Sequence, residues 1–293
     1  MVLINQSNCK YCHDAHVIKY GTYKGVQRYF CKNCNRKYVY TETLPKMQIP
    51  IEIVSDSINM FYEGMSLNEI RLNLIRQANK YVSKSSIYNW IKHFTELALK
   101  EEFDYKPKVG NIWTANETVI KISGSNVFLW DIMDCLTYFL LASHIALTRT
   151  TWNASTLMET AIKCAGKSPS IIYANSLASY IKGSECLSSD CKEQTDSYNV
   201  QSGIHSSEPF SSSLENRDSI LRRSKGIGMA KQYLNGFFIY YNFFRPHICL
   251  NCRTPAQKAK TNICFYSWKD VVEKSNLMTP IGKDYVSKLA TIL

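Results

Sequence analysis

Ile112-Trp113-Thr114-Ala115-Asn116-Glu117-Thr118-Val119-Ile120-Lys121-Ile122 alternates apolar and polar residues, the period of a half-buried strand. Two near-continuous apolar runs follow, Val127 to Met133 and Tyr138 to Ile145, and runs of that length suit strands covered on both faces. Thr151 to Ala165 changes period, with Leu157, Ala161 and Cys164 on one helical face. Ile171 to Ala174 is a short apolar strand. The order β-β-β-α-β, then helices, predicts an α/β domain. Val127 to Leu147 is apolar enough to suggest a membrane span, but it contains Asp131 and Asp134. Each costs ~2.5–3.5 kcal/mol near a bilayer centre. Two buried strands joined by a short turn account for the stretch, and no membrane partner is expected.

The rest of the chain is that of an ordinary globular protein. At 45% hydrophobic and 12% aromatic it can fill a core, which excludes disordered and fibrous classes. A length of 293 residues suggests two domains and a small extra module. The first 20 residues hold Cys9, Cys12 and His13 where a secretory signal would need an apolar run. Eleven cysteines without such a signal point to a reducing compartment, where metal or burial uses them before disulfides do. Charge is uneven: residues 1–50 net +6, 51–100 +1, 101–200 −3 and 201–293 +7. Basic ends suit a polyanion, and an acidic middle suits a cation-dependent site.

Cys9-Lys10-Tyr11-Cys12 and Cys31-Lys32-Asn33-Cys34 are two CxxC knuckles separated by 18 residues. Each turns tightly enough to aim two thiolates at one ion, and four sulfurs close a tetrahedral, structural site. His16 to Tyr20 and Gln27 to Phe30 read as strands around Gly21 and Gly25. This predicts a zinc ribbon over residues 1–45 that folds only with its metal. Its lysines and arginines suggest contact with phosphates.

Pro45 and Pro50 punctuate a linker, and Ile51 to Tyr62 is a helix ended by Gly64. Ser66-Leu67-Asn68-Glu69 is a capping box for a second helix. Ser83 caps a third, from Lys84 to Leu99, whose Ile87, Ile91, Phe94 and Ala98 form a buried stripe. Lys84, Ser85, Tyr88, Asn89 and Lys92 sit away from that stripe in its N-terminal half. A helix-turn-helix presents its base and phosphate contacts there. Residues 46–104 are therefore expected to bind double-stranded DNA, the alternative being a three-helix spacer with a solvated polar face.

Tyr240-Tyr241-Asn242-Phe243-Phe244-Arg245-Pro246-His247, then Leu250 and Thr254-Pro255-Ala256, resembles the tail of integrase-core (DDE) transposases. Trp113-Thr114-Ala115-Asn116-Glu117-Thr118 is similar to the family's first-acid strand, and Ile171-Ile172-Tyr173-Ala174-Asn175-Ser176 to its second. A ribbon, a helix-turn-helix and a core in this order resemble prokaryotic insertion-sequence transposases, to about residue 260. The resemblance implies an RNase H-like core over 105–260, which the β-β-β-α-β order also suits, followed by a basic tail over 261–293. It also implies transposon-end DNA as partner, Mg or Mn as the catalytic ions and a cytoplasmic, nucleoid-associated protein, with homo-oligomers left open.

Such chemistry needs three carboxylates around two divalent ions, and this chain lacks them where the resemblance puts them. Positions 116 and 175 are Asn116 and Asn175. The third position is Arg222 if Ile220-Leu221-Arg222-Arg223 is aligned, or Glu215 in the competing register. An amide carbonyl can ligate Mg²⁺ but brings no charge, so the catalytic ions are expected to bind weakly. Glu117 alternates to the other strand face, and Asp134 reads as a capping or salt-bridge acid. Cys249 and Cys252 form a CxxC without a second pair, and His247 reads as structural. Two readings remain: a transposase with impaired strand cleavage, or a catalytically inactive DNA-binding regulator or inhibitor of active relatives.

Overall fold

The computed structural model describes residues 8–9, 11–12, 14–23, 25–39, 49–100, 106–174, 192–194, 216–262 and 265–277. Asn175, Glu215 and most of the 183–213 segment lie outside them.

The N-terminal strands β1 (Val17–Tyr23), β2 (Val26–Cys31) and β3 (Lys37–Val39) form an antiparallel sheet in the order β1-β2-β3. The third strand, only three residues long, had no sequence signal. Gly25 turns the β1–β2 hairpin at φ 77°, and Gly21 sits at φ 68° within a break in register between Lys19 and Thr22. Both are left-handed values that glycine adopts without cost.

Helices α1 (Ile51–Tyr62), α2 (Leu67–Ala78) and α3 (Lys84–Lys100) follow. The Ser66–Glu69 capping box forms as the sequence predicts. Ser83 caps α3 by accepting from the Ser86 amide at 3.0 Å. The stripe of Ile87, Ile91, Phe94 and Ala98 is buried.

The core sheet has the order β6-β5-β4-β7-β8, from β4 (Ile112–Ile122), β5 (Ser125–Asp134), β6 (Leu140–Ala146), β7 (Ile171–Ala174) and β8 (Lys192–Gln194). β4, β5 and β6 pair antiparallel, and β7 and β8 add in parallel on the free side of β4. An antiparallel meander with parallel strands added beside its first strand is the RNase H-like arrangement. The segment 183–213 reads as a loop from sequence, yet Lys192–Gln194 supplies the fifth strand. Three polar residues carry no periodicity that could have revealed it.

Between β6 and β7, α4 (Thr151–Ala165) packs Ala154, Leu157, Met158 and Ala161 on Trp113, Ala115, Trp130 and Ile132 of the sheet. The chain is helical again over 216–222 (α5), then in α6 (Ile227–Ile239), a π-helical turn (Tyr240–Phe244), α7 (Pro255–Lys258) and α8 (Trp268–Leu277). The last helix falls within the expected tail. Tyr62 of α1 reaches α6 at Gly236: a Cβ there would overlap Tyr62 Oη and stand 2.8 Å from Thr95 Cγ2. Ala ordinarily favours a helix by ~1 kcal/mol over Gly, so glycine is kept here for close approach. The Tyr62 hydroxyl is paired with Thr95 Oγ1 at 2.7 Å.

The tail motif is a clamp. Asn242 accepts from the Leu140 amide at 2.9 Å and donates to the Leu140 carbonyl at 3.0 Å. One side chain thus makes both bonds that a neighbouring strand would make. The Tyr241 hydroxyl donates to the Tyr138 carbonyl at 3.1 Å. Thr254 and Gln257 form a second capping box, with Pro255 in the first turn of α7.

Candidate functional site

Cys9, Cys12, Cys31 and Cys34 come together with all four sulfurs within 4.8 Å of one another. Cys9 and Cys34 Sγ are 3.6 Å apart, and Cys12 and Cys31 Sγ 3.5 Å. A tetrahedron with ~2.3 Å Zn–S bonds has edges of ~3.8 Å, close to these two separations, so four thiolates at this spacing fit zinc. The Tyr11 amide donates to Cys9 Sγ at 3.3 Å, the type of bond that steadies a thiolate. Burial pushes the Cys9 thiol up to about 12. At Cys31 burial acts the same way but is outweighed by donors from Cys34, Cys12 and Asn33, which bring it to about 7. Tyr38, stacked on Tyr29 and met edge-on by Tyr11, closes the small core. Among the described residues this is the one group of three or more ligating side chains that could hold a metal.

On α3, Lys84, Ser85, Asn89 and Lys92 are exposed. Tyr88 is half-buried. The structure brings these five positions onto one accessible stretch.

The sheet face expected to carry metal chemistry holds something else. Asn116 is the cross-strand partner of Asp131, and Asp131 of Ser143, so the three share one face. Asp131 is buried, accepting from Ser143 Oγ at 2.5 Å and from Arg217 Nη1 at 2.7 Å. Arg217 comes from α5 and is fully buried, with its guanidinium 5.9 Å from the Phe237 ring and a second carboxylate, Asp218, at 3.4 Å. Burial pushes the Asp218 carboxyl up against the pull of Arg217. Both Asp131 oxygens are committed, and a fixed cation lies among them.

The remaining candidates lie away from this buried pair. Arg222 is exposed; the α5 side chain that reaches the β5 strand is Arg217, for which the sequence pattern suggests no role. Glu117 lies on the opposite face and accepts from Arg149 Nε at 2.6 Å. Asp134 accepts from the Gly110 and Thr137 amides, each at 2.8 Å, and from Thr137 Oγ1 at 2.6 Å. It fastens the β5–β6 turn. His247 is buried, its ring 4.8 Å from that of Tyr241, and burial pulls it down to about 4. It packs within the fold, against Tyr241. Cys249 and Cys252 are exposed and join no ligating group among the described residues.

No family profile matches the chain, and no curated protein matches it in sequence. Solved structures similar to it include the HTLV-2 integrase catalytic core domain in complex with magnesium. Its trimeric form has TM-score 0.40 and 17% identity, over 53% of this chain and 97% of that one. The dimeric form has TM-score 0.39 with the same identity and coverage. A simian T-cell lymphotropic virus intasome in complex with the PP2A regulatory subunit B56 gamma has TM-score 0.38 and 14% identity, over 72% of this chain and 70% of that one. Among the described residues no helix is long and apolar enough to cross a membrane.

Proposed function

We propose that this chain is a DNA-binding protein built on a transposase plan, gripping duplex DNA through its N-terminal 100 residues, with strand cleavage and transfer impaired. The observation that supports impairment is Asn116 paired across the strands with an Asp131 already neutralised by Arg217. Asn175 is equally neutral at the second position the resemblance assigns. Each unit charge missing at ~4 Å from a cation is worth ~4 kcal/mol at an effective dielectric of 20. A carbonyl ligand returns less than that. The third position stays between Arg222 and Glu215.

The test is a nicking and strand-transfer assay with Mg²⁺ or Mn²⁺ on matched transposon ends. The unmodified protein is expected to give no product above the protein-free control. Metal-dependent cleavage by the unmodified protein, abolished by Asn116→Ala, would overturn the reading. Product from the triple variant Asn116→Asp, Asn175→Asp, Arg222→Glu supports descent from an active enzyme. The buried Asp131–Arg217 pair favours a second reading, a non-enzymatic protein that occupies the DNA ends used by active relatives. Silence of the triple variant supports that reading.

Duplex affinity is expected to fall steeply with salt, because bound lysines and arginines release condensed counterions. Lys84→Ala with Lys92→Ala weakens binding to every sequence, and Asn89→Ala changes the preference among sequences. Absence of duplex binding by the full chain at low salt would sink the assignment.

A further inference from the structure

The two faces of the ribbon sheet are unlike. One carries Tyr29 and Tyr38 and closes on the cysteines. On the other, Ile18, Phe30 and Lys37 form one cross-strand row. The Tyr20 ring lies 5.9 Å from Phe30. Lys37 Nζ stands 4.1 Å above Tyr20 and donates to its hydroxyl at 2.7 Å. The Arg28 guanidinium is 5.7 Å from both the Tyr20 and Tyr23 rings. Exposure along this hairpin is high: Ile18 43%, Tyr20 40%, Tyr23 62% and Val26 48%.

A sheet with one face on a core ordinarily shows water a polar face. This one shows rings interleaved with cations. Residues 17–39 hold six Lys/Arg and no Asp/Glu, so the complementary surface is a polyanion. The rings narrow the choice. Duplex DNA presents phosphates and already stacked bases, which leave a flat aromatic group without a partner. A single strand presents both phosphates and free base faces.

We propose that the outer face of the ribbon sheet holds single-stranded DNA, with Tyr20 and Tyr23 stacking on unpaired bases and Arg28 and Lys37 on the flanking phosphates. This deepens the DNA-binding reading above, assigning the ribbon to an unwound strand and α3 to the duplex. The cation–ring contacts fix Arg28 and Lys37 beside the rings before any strand arrives. Less ordering is then left for the moment of binding.

The test is fluorescence anisotropy of the zinc-loaded full chain with labelled oligothymidine and, separately, a blunt duplex. Tyr23→Ser is expected to weaken oligothymidine binding ~10-fold and duplex binding less than ~2-fold. Tyr23→Trp is expected to keep the affinity for oligothymidine. Zinc content measured on each variant guards against an unfolded ribbon, and Tyr23 is exposed enough to be changed without disturbing the fold. An oligothymidine affinity unchanged within ~2-fold in Tyr23→Ser overturns the proposal. Equal losses on oligothymidine and duplex overturn it too, by making the face a duplex contact. Loss of duplex binding alone in the Lys84→Ala/Lys92→Ala variant, with oligothymidine binding kept, separates the two surfaces.

Discussion

A strong chelator added to the purified full chain is expected to unfold the ribbon and leave the cooperative transition of the core in place. The buried part of the ribbon is Cys9, Cys31 and Tyr38, with a few half-buried neighbours. Modules of this size seldom hold together without a metal or disulfides, and the eight described free cysteines include all four of the clustered ones. Zinc binding in comparable small domains is worth ~10–16 kcal/mol at neutral pH, far more than those apolar contacts supply. Hydrogen exchange should show loss of protection across 17–39, while β4 to β6 keep theirs. Metal analysis should find about one zinc per chain, and replacing any one of the four cysteines by serine should reproduce the chelator's effect. Full protection of 17–39 in metal-free protein would refute the site.

Arg217→Met is expected to lower the stability of the core by ~3–5 kcal/mol, because Asp131 is left as an uncompensated buried charge. Methionine keeps much of the volume and the contact with Phe237, so lost packing is the smaller part. The second variant separates charge from shape. Asp131→Asn with Arg217→Met removes both ions and should recover most of the loss, as replacing a buried pair by neutral groups often does. Urea midpoints of the three proteins decide it. If the single and double variants are equally destabilised, the pair's electrostatics are not what holds α5 to the sheet.

The strongly patterned parts of the chain were legible in sequence. Alternation from Ile112 to Ile122 and the apolar runs after it gave the three-stranded meander. The stripe of Ile87, Ile91, Phe94 and Ala98 gave α3, and the cysteine spacing gave the ligand cluster. Short elements held by distant partners were not legible. Lys192–Gln194 is a strand only because β7 lies beside it, and Lys37–Val39 only because β2 does. Arg217 illustrates the same limit at the candidate site. Its role depends on Asp131, 86 positions away in the chain, and nothing in its neighbours' pattern announces a buried guanidinium. Asn116 drew notice only through the resemblance of Trp113–Thr118 to a first-acid strand. That Arg217 occupies its cross-strand carboxylate, Asp131, shows only in the fold.

Asn242 gives the tail motif a meaning of its own. By standing in for a strand against both polar groups of Leu140, it secures the end of β6 whether or not the protein ever touches a phosphodiester. Selection on such a residue is selection on folding. Any chain that keeps this sheet needs that pair of bonds, whatever chemistry its surface performs.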